Sequence, residues 1–105
     1  MEDHRTGAVR LELHENGRGK FWFDKDGTQA GEMVFSITGH VLTVYHTEVR
    51  AEHEGKGIAG RLLEAMVAYA YAHQLNVYPL CPYVLAQFQR HPETYNAIWL
   101  KELRS

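Results

Sequence analysis

Three two-residue turn signals divide the first half of this 105-residue chain into short runs of alternating apolar and polar residues. The signals are Asn16-Gly17, Asp26-Gly27 and Thr38-Gly39. Asn-Gly and Asp-Gly pairs accept the positive φ angles that tight hairpins require. The runs between them read AVRLELHENG, KFWFDKDG, GEMVFSITG and HVLTVYHTEV. The sequence therefore predicts a four-stranded antiparallel meander that ends near Val49.

The hydrophobic period changes after this meander. Between Gly57 and His73 it lengthens to steps of three and four residues, which indicates an amphipathic helix; its apolar positions are Ile58, Leu62, Leu63, Met66, Tyr69 and Ala70. NVYPLCPYV resembles a fifth strand interrupted by prolines, and VLAQFQRH and PETYNAIWLKEL resemble two short helices. A strand–helix–strand unit over 41–80 should be a right-handed parallel crossover. The predicted fold is α+β, loosely α/β, with a mixed, mainly antiparallel five-stranded sheet.

Composition excludes several classes of protein. The chain should form one domain over 1–105, and its 45% hydrophobic content indicates a globular protein. A net charge of −2 with scattered basic residues gives no nucleic-acid footprint. No stretch is apolar enough to span a membrane, and no secretory signal is visible, so we expect a cytoplasmic protein. The single cysteine, Cys81, excludes an internal disulfide. We expect no metal site, because five histidines show no ligand spacing: His4, His14, His40, His53 and His73.

The segment GKGIAG, residues 55–60, fits the glycine pattern of dinucleotide-binding proteins, but its surroundings do not. Five residues separate it from the preceding strand, and no acidic residue ends the next one. A Walker A loop fails because Gly57 stands where Ser or Thr is needed. Small residues at a helix start can expose backbone N–H groups to an anion such as pyrophosphate. The alternative is that the glycines only let the helix pack close to the sheet.

The segment VRAEHEGKGIAGRLL, after a long strand and before an amphipathic helix, resembles the acetyl-CoA loop of the GNAT superfamily of N-acetyltransferases. That loop is written Q/R-x-x-G-x-G/A and falls here on residues 54–59, with Glu54 where the family has Gln or Arg. HTEV, VYPLCPYV and HPETY extend the resemblance to a short GNAT-like family over about residues 8–97. Full GNAT domains carry two further helices after the first strand and two more strands at the end.

The resemblance implies a truncated acyl-CoA N-acyltransferase fold that binds acetyl-CoA. Pantetheine would pair with the strand ending HTEV, and pyrophosphate would lie on the glycine loop. The cofactor-binding residues implied are Thr47, Glu48, Val49, Glu54, Gly55, Lys56, Gly57, Ile58, Ala59, Gly60 and Arg61. The second substrate would be an amine, either a small molecule or a protein group. The missing segments usually shape the acceptor site, so the acceptor is not predicted. The sequence does not predict the oligomeric state either.

Acetyl transfer needs a base for the amine, a donor for the oxyanion and an acid for the leaving thiolate. Strand alternation places Leu42, Val44, His46 and Glu48 on one face, and His46 and Glu48 are the candidate bases. A backbone N–H near Glu48 or Val49 would serve the oxyanion. Cys81 is a candidate nucleophile or acid, and Tyr83 is a rival acid. The alternatives are a solvated His–Glu pair, a buried structural cysteine and a core tyrosine.

We therefore predict an acetyl-CoA-dependent N-acetyltransferase. The alternative is a non-catalytic module of the same fold that binds acyl-CoA or another protein. A nucleotide-binding domain is a third interpretation, and it would bind NAD or ATP.

Overall fold

The computed structural model describes residues 7–103. His4 and most of the N-terminal segment considered for a secretory signal lie outside this range. The described chain forms five strands, one turn of 3₁₀ helix at Ala51–His53 and three α-helices. Their bounds are β1 Gly7–Leu13, β2 Arg18–Lys25, β3 Thr28–Thr38, β4 Val41–Val49, α1 Ile58–Ala72, β5 Asn76–Pro79, α2 Pro82–Arg90 and α3 Pro92–Tyr95.

The sheet has the strand order β1-β2-β3-β4-β5, and the first four strands pair antiparallel as the turn signals predict. Asp26 and Gly27 both have positive φ, 53° and 86°, as a two-residue type I′ hairpin requires. Gly17 and Gly39 also take positive φ in their turns. Strand β5 joins β4 in parallel through the crossover helix α1. The predicted mixed five-stranded sheet is confirmed.

A β-bulge in β4 overturns one part of the predicted strand alternation. Val34 pairs with His46, but the next residue of β3, Phe35, pairs with Val44, so Tyr45 is an extra residue in β4. A bulge changes which face the following side chains occupy. Leu42 and Val44 are fully buried, whereas His46 is exposed. The prediction that all of them share one face with Glu48 is therefore wrong, although His46 and Glu48 do share a face.

The hydrophobic core lies on one face of the sheet. Phe21, Phe35 and Leu42 on that face pack with α1 and α2 in a single cluster of buried residues. The members from the helices include Ile58, Leu62, Leu63, Met66, Ala70, Val84 and Phe88. Side chains of the opposite face, such as Trp22 and Tyr45, take no part in this cluster. The functional candidates on β4 are therefore divided between a face against the core and a face toward solvent.

The C-terminal part differs from the predicted elements. Strand β5 is only four residues long, because Pro79 cannot donate to the ladder and Leu80 and Cys81 leave the strand direction. Helix α2 begins at Pro82, two residues earlier than predicted, with proline in the first turn. The second predicted helix ends at Tyr95, and Trp99 instead forms a parallel bridge to Val77. Within residues 7–103, no helix has the length and apolar character needed to cross a membrane.

Candidate active site

Strands β4 and β5 diverge beside the predicted thioester position. Their parallel pairing ends at Val44 with Pro79, while β4 continues to Val49. The amides of Leu80 and Cys81 both donate to the carbonyl of Val44, at 3.0 and 2.9 Å, and the chain then turns into α2. Among the described residues, the C-terminal half of β4 therefore has no strand partner on this side. We call the opening between β4 and the start of α2 the notch.

Cys81 and Thr47 meet at the notch on the core side of β4. The Thr47 hydroxyl lies 3.3 Å from the Cys81 sulfur, within hydrogen-bonding distance. The Cys81 side chain is 1% exposed and belongs to the core cluster. Thr47 comes to this side because the bulge at Tyr45 resets the alternation of β4. The thiol is therefore positioned by packing and by one side-chain partner.

Tyr83 lies one residue into α2 from the notch and is half-buried. Burial raises the pKa of Tyr83, and the neighbouring Tyr95 and Cys81 add to the effect, while Arg90 opposes it. Its hydroxyl therefore stays protonated at neutral pH, as a general acid must. The Tyr83 ring also lines the cavity formed by the glycine loop.

The glycine loop and the start of α1 enclose a cavity of about 420 Å³. Its lining consists of Val49, His53, Glu54, Gly55, Gly57, Ile58, Ala59, Gly60 and Tyr83. Gly55 and Gly57 have φ of 81° and 78°, which other residues rarely adopt. A Cβ added at Gly60 would meet no atom within 4 Å. Gly60 is therefore not required for close packing between helix and sheet, and its missing side chain leaves open space.

Two basic residues of the loop are placed differently from the glycines. Neither Lys56 nor Arg61 lines the cavity. The Arg61 guanidinium lies 4.9 Å from the centre of the Phe23 ring, in a cation–π contact with the sheet. His53, which does line the cavity, has a buried Nδ1 atom without a hydrogen-bond partner among the described residues. The polar side chains that line this cavity are therefore His53 and Glu54.

His46 and Glu48 lie on the solvent face of β4, away from Cys81. Glu32 of β3 completes a group of three side chains there, with ligand atoms that all lie within 4.8 Å of one another. The His46 Nε2 atom is 3.7 Å from a Glu32 carboxylate oxygen. We call these three residues the outer-face cluster. The sequence-predicted bases are thus brought together, but on the opposite side of β4 from the thiol.

Residues 20–98 match the sequence profile of a family described as GCN5-related N-acetyl-transferase. This match covers most of the chain, including β2 to α3, the notch and the glycine loop. The chain belongs to the GCN5-related N-acetyltransferase family. The GNAT resemblance of its motifs is thereby confirmed. Among curated proteins, none matches the sequence significantly.

Solved GNAT structures share the fold. A GCN5-like protein from Staphylococcus aureus superposes with a TM-score of 0.65 at 22% identity, over 90% of this chain and 91% of that one. A ribosomal-protein-alanine N-acetyltransferase from Brucella melitensis gives 0.61 at 20% identity, over 87% and 67%. An aminoglycoside acetyltransferase from an uncultured soil metagenomic sample gives 0.60 at 10% identity, over 88% and 66%. At these identities the likeness shows the fold, which is the predicted acyltransferase fold.

In this GNAT chain the predicted site residues form three groups rather than one. Thr47, Cys81 and Tyr83 lie around the notch, the glycine loop forms the adjoining cavity, and His46 and Glu48 lie on the outer face. Sequence reasoning missed Glu32 and the cavity-lining role of His53. The hairpin register alone would not have found Glu32, because counting back from the Thr38–Val41 pair places it opposite Thr47, and only the bulge at Tyr45 brings it opposite Glu48.

Proposed function

We propose that this protein is an acetyl-CoA-dependent N-acetyltransferase. Family membership supports acyl transfer to an amine as the general chemistry. The observation that carries the more specific proposal is that the glycine-loop cavity lies beside the notch, because its lining includes Val49 at the end of β4 and Tyr83 at the start of α2. A ligand with a pyrophosphate at one end and a thioester at the other would match this layout.

The glycine loop would bind the pyrophosphate. Backbone N–H groups at the start of a helix attract anions, and the helix dipole adds to the attraction. The open space at Gly60 and the positive φ angles of Gly55 and Gly57 are consistent with a backbone cradle. The pantetheine arm would then hydrogen-bond to the unpaired edge of β4 over 47–49, which places the thioester at the notch.

In the proposed reaction, the base lies on the outer face of β4 and the thioester lies at the notch. His46 or Glu48 would take the proton of an amine approaching from the solvent side, and the amine would attack the thioester carbonyl. A backbone N–H near Glu48 or Val49 would stabilise the oxyanion. As the C–S bond breaks, Tyr83 or Cys81 would give a proton to the departing thiolate. In the second route, the Cys81 thiol attacks the thioester carbonyl, its proton goes to the CoA thiolate, and the C–S bond to CoA breaks. The amine then attacks the acetyl-cysteine, and the Cys81 sulfur leaves and takes up the proton that the amine loses.

The identity of the cofactor is tested by measuring the melting temperature of the protein while acetyl-CoA, CoA, NAD or ATP is added in separate titrations. Ligand at about 100 times its Kd should add roughly 2.7 kcal/mol to the free energy of unfolding. We expect a shift with the two CoA species and none with NAD or ATP. A shift with NAD or ATP alone would favour the nucleotide-binding alternative, and no shift at all would contradict the proposal.

A screen of amine acceptors then separates an enzyme from a non-catalytic module. Small amines, polyamines and peptides with a free N-terminus or lysine should be tested for release of free CoA thiol. Intact mass after incubation with acetyl-CoA alone reports an acetyl-cysteine, with Cys81→Ser as the control. If CoA binds but no acceptor is acetylated, the non-catalytic acyl-CoA-binding alternative is favoured.

A further inference from the structure

The outer-face cluster has the composition and spacing of a metal site. It combines one imidazole, His46, with two carboxylates, Glu32 and Glu48, on neighbouring strands. We propose that this cluster binds a divalent transition-metal ion of the Zn²⁺, Co²⁺ or Ni²⁺ class. The strand positions of the three ligands are fixed by hairpin pairing, so the proposal rests on rigid elements rather than on a loop.

The distances are close to those that a tetrahedral ion needs. Zinc binds histidine nitrogen and carboxylate oxygen at about 2.1 Å, so two ligand atoms on one tetrahedral ion lie about 3.4 Å apart. The His46 Nε2 atom and the Glu32 Oε2 atom are 3.7 Å apart. No pair of ligand atoms in the cluster is more than 4.8 Å apart. Small side-chain rotations would bring all three onto one ion, and water would complete the coordination.

The surroundings hold Glu32 in an orientation suited to this role. The Gln29 amide donates to Glu32 Oε1 at 3.0 Å, and the Lys20 ammonium lies 3.6 Å from the same oxygen. These contacts occupy one carboxylate oxygen and leave Oε2 directed toward His46. Hydrogen-bond partners such as the Gln29 amide orient metal ligands, while the Lys20 charge counts against a bound cation. Arg50 lines the same small pocket as Glu32 and Glu48, and its guanidinium pairs with Glu52 at 3.2 Å.

Electrostatics gives a reason for a cation at this place. Glu32 and Glu48 are directly opposite each other in the β3–β4 ladder, and like charges in that arrangement destabilise a sheet. A divalent ion between them would remove the repulsion. Imidazole together with carboxylate favours zinc-like ions over Mg²⁺ and Ca²⁺, which prefer oxygen ligands only. The expectation of no metal site considered five other histidines and did not include His46, and ligands from two strands show no recognisable spacing in the sequence.

Calorimetric titration with Zn²⁺ of the untagged protein tests the proposal without reference to its enzymatic activity. We expect one ion per chain and a rise in melting temperature. Glu32→Gln and His46→Gln should each weaken binding by about tenfold or more. The matched control is His14→Gln, since His14 and Glu12 form an exposed His–Glu pair, 2.8 Å apart, for which no third ligand residue is found in the described part of the chain. Circular dichroism verifies that each variant is folded.

Two results would overturn the proposal. One is the absence of stoichiometric binding to the wild-type protein. The other is binding that Glu32→Gln and His46→Gln leave unchanged, which would place the ion elsewhere, for example at Cys81. Because the two ligands are replaced in separate variants, the test still holds if one variant fails to fold.

A second experiment rests on the proposed function. If Glu48 serves as a base, an ion bound to it should inhibit acetyl transfer. We expect added Zn²⁺ to inhibit the wild-type protein, and Glu32→Gln to lose a smaller fraction of its own metal-free rate. Equal inhibition of both would overturn the link between metal and base while leaving the calorimetric result intact. If the proposed function is wrong, the wild-type protein shows no acetyl transfer even without metal, and this result differs from inhibition of an active protein by metal.

Discussion

At the scale of single residues, the contact between Thr47 and Cys81 is the most specific feature of the notch. Thr47→Val keeps the side-chain shape and removes the hydroxyl that lies 3.3 Å from the sulfur. If this hydroxyl orients the thiol, its loss should lower kcat about fivefold, since one hydrogen bond contributes about 1 kcal/mol. Steady-state kinetics should show the change in kcat, with the Kd for CoA unchanged. An equal loss in CoA affinity would indicate a binding role instead.

Tyr83 gives a prediction about alkaline stability. Burial raises its pKa in the folded protein above the unfolded value of about 10. The stability contributed by the neutral hydroxyl is therefore fully present below that unfolded value and is lost as pH rises through the folded pKa. We expect the free energy of unfolding to fall less steeply above about pH 10 in Tyr83→Phe than in the wild type. Urea unfolding at several pH values measures this, and parallel curves would contradict it.

At the scale of elements, Gly57 and Gly60 flank the start of α1 but differ in conformation. Gly60→Ala should stabilise the helix by about 0.5–1 kcal/mol, because alanine loses less entropy and the space around Gly60 is open. Gly57→Ala should cost about 1–2 kcal/mol, because φ there is 78°. If acyl-CoA lies on this loop, the methyl group of Gly60→Ala should weaken its binding about tenfold.

Thermal unfolding and CoA titration of these two variants provide the measurement. A Gly60→Ala protein that is more stable and binds CoA as tightly as the wild type would show that the ligand does not contact this part of the loop. A Gly57→Ala protein of unchanged stability would contradict the conformational argument.

Strand β4 shows how far sequence reasoning reaches at the scale of an element. The sequence correctly predicts its extent to Val49, and alternation correctly places Leu42 and Val44 on one face, where both are buried. It fails at Tyr45, because nothing in the local sequence marks the bulge. The bulge depends on pairing with β3, which is a property of two strands. Beyond the bulge, His46 and Glu48 are exposed to solvent, whereas simple alternation places them on the same face as the buried Leu42 and Val44.

At the scale of the whole molecule, the segment after α3 covers the open edge of the sheet. The Val77 amide donates to the Ile98 carbonyl at 2.7 Å, and the Leu100 amide donates to the Val77 carbonyl at 2.8 Å. Ile98 is buried in the core, whereas Leu103 is 57% exposed. Ile98→Ala should therefore cost about 2–5 kcal/mol, and Leu103→Ala should change stability by less than about 0.5 kcal/mol. Urea unfolding compares them, and equal effects would contradict the packing described.

Sequence patterns predict most of the architecture, because hairpin turns and helix periodicity are local signals. Asp26-Gly27 and the apolar stripe from Ile58 to Ala70 are examples that the structure confirms. The C-terminal part is predicted less well, since the last predicted helix is replaced by a bridge from Trp99 to Val77. That bridge depends on residues distant in sequence. The outer-face cluster was missed for the same reason, because Glu32 and His46 meet only when β3 and β4 pair.

The short pairing between β4 and β5 also bears on the order in which the protein folds. The meander joins strands that are adjacent in sequence, so its contacts can form early, whereas β5 can pair only after α1 has been placed. The β4–β5 ladder has four residue pairs. We expect it to form late and to open first, with faster amide hydrogen exchange at Asn76, whose amide donates to the His40 carbonyl at 2.8 Å, than at Phe35 in the meander. A bound acyl-CoA that bridges the two strands would slow this opening, so ligand binding and completion of the fold would be coupled.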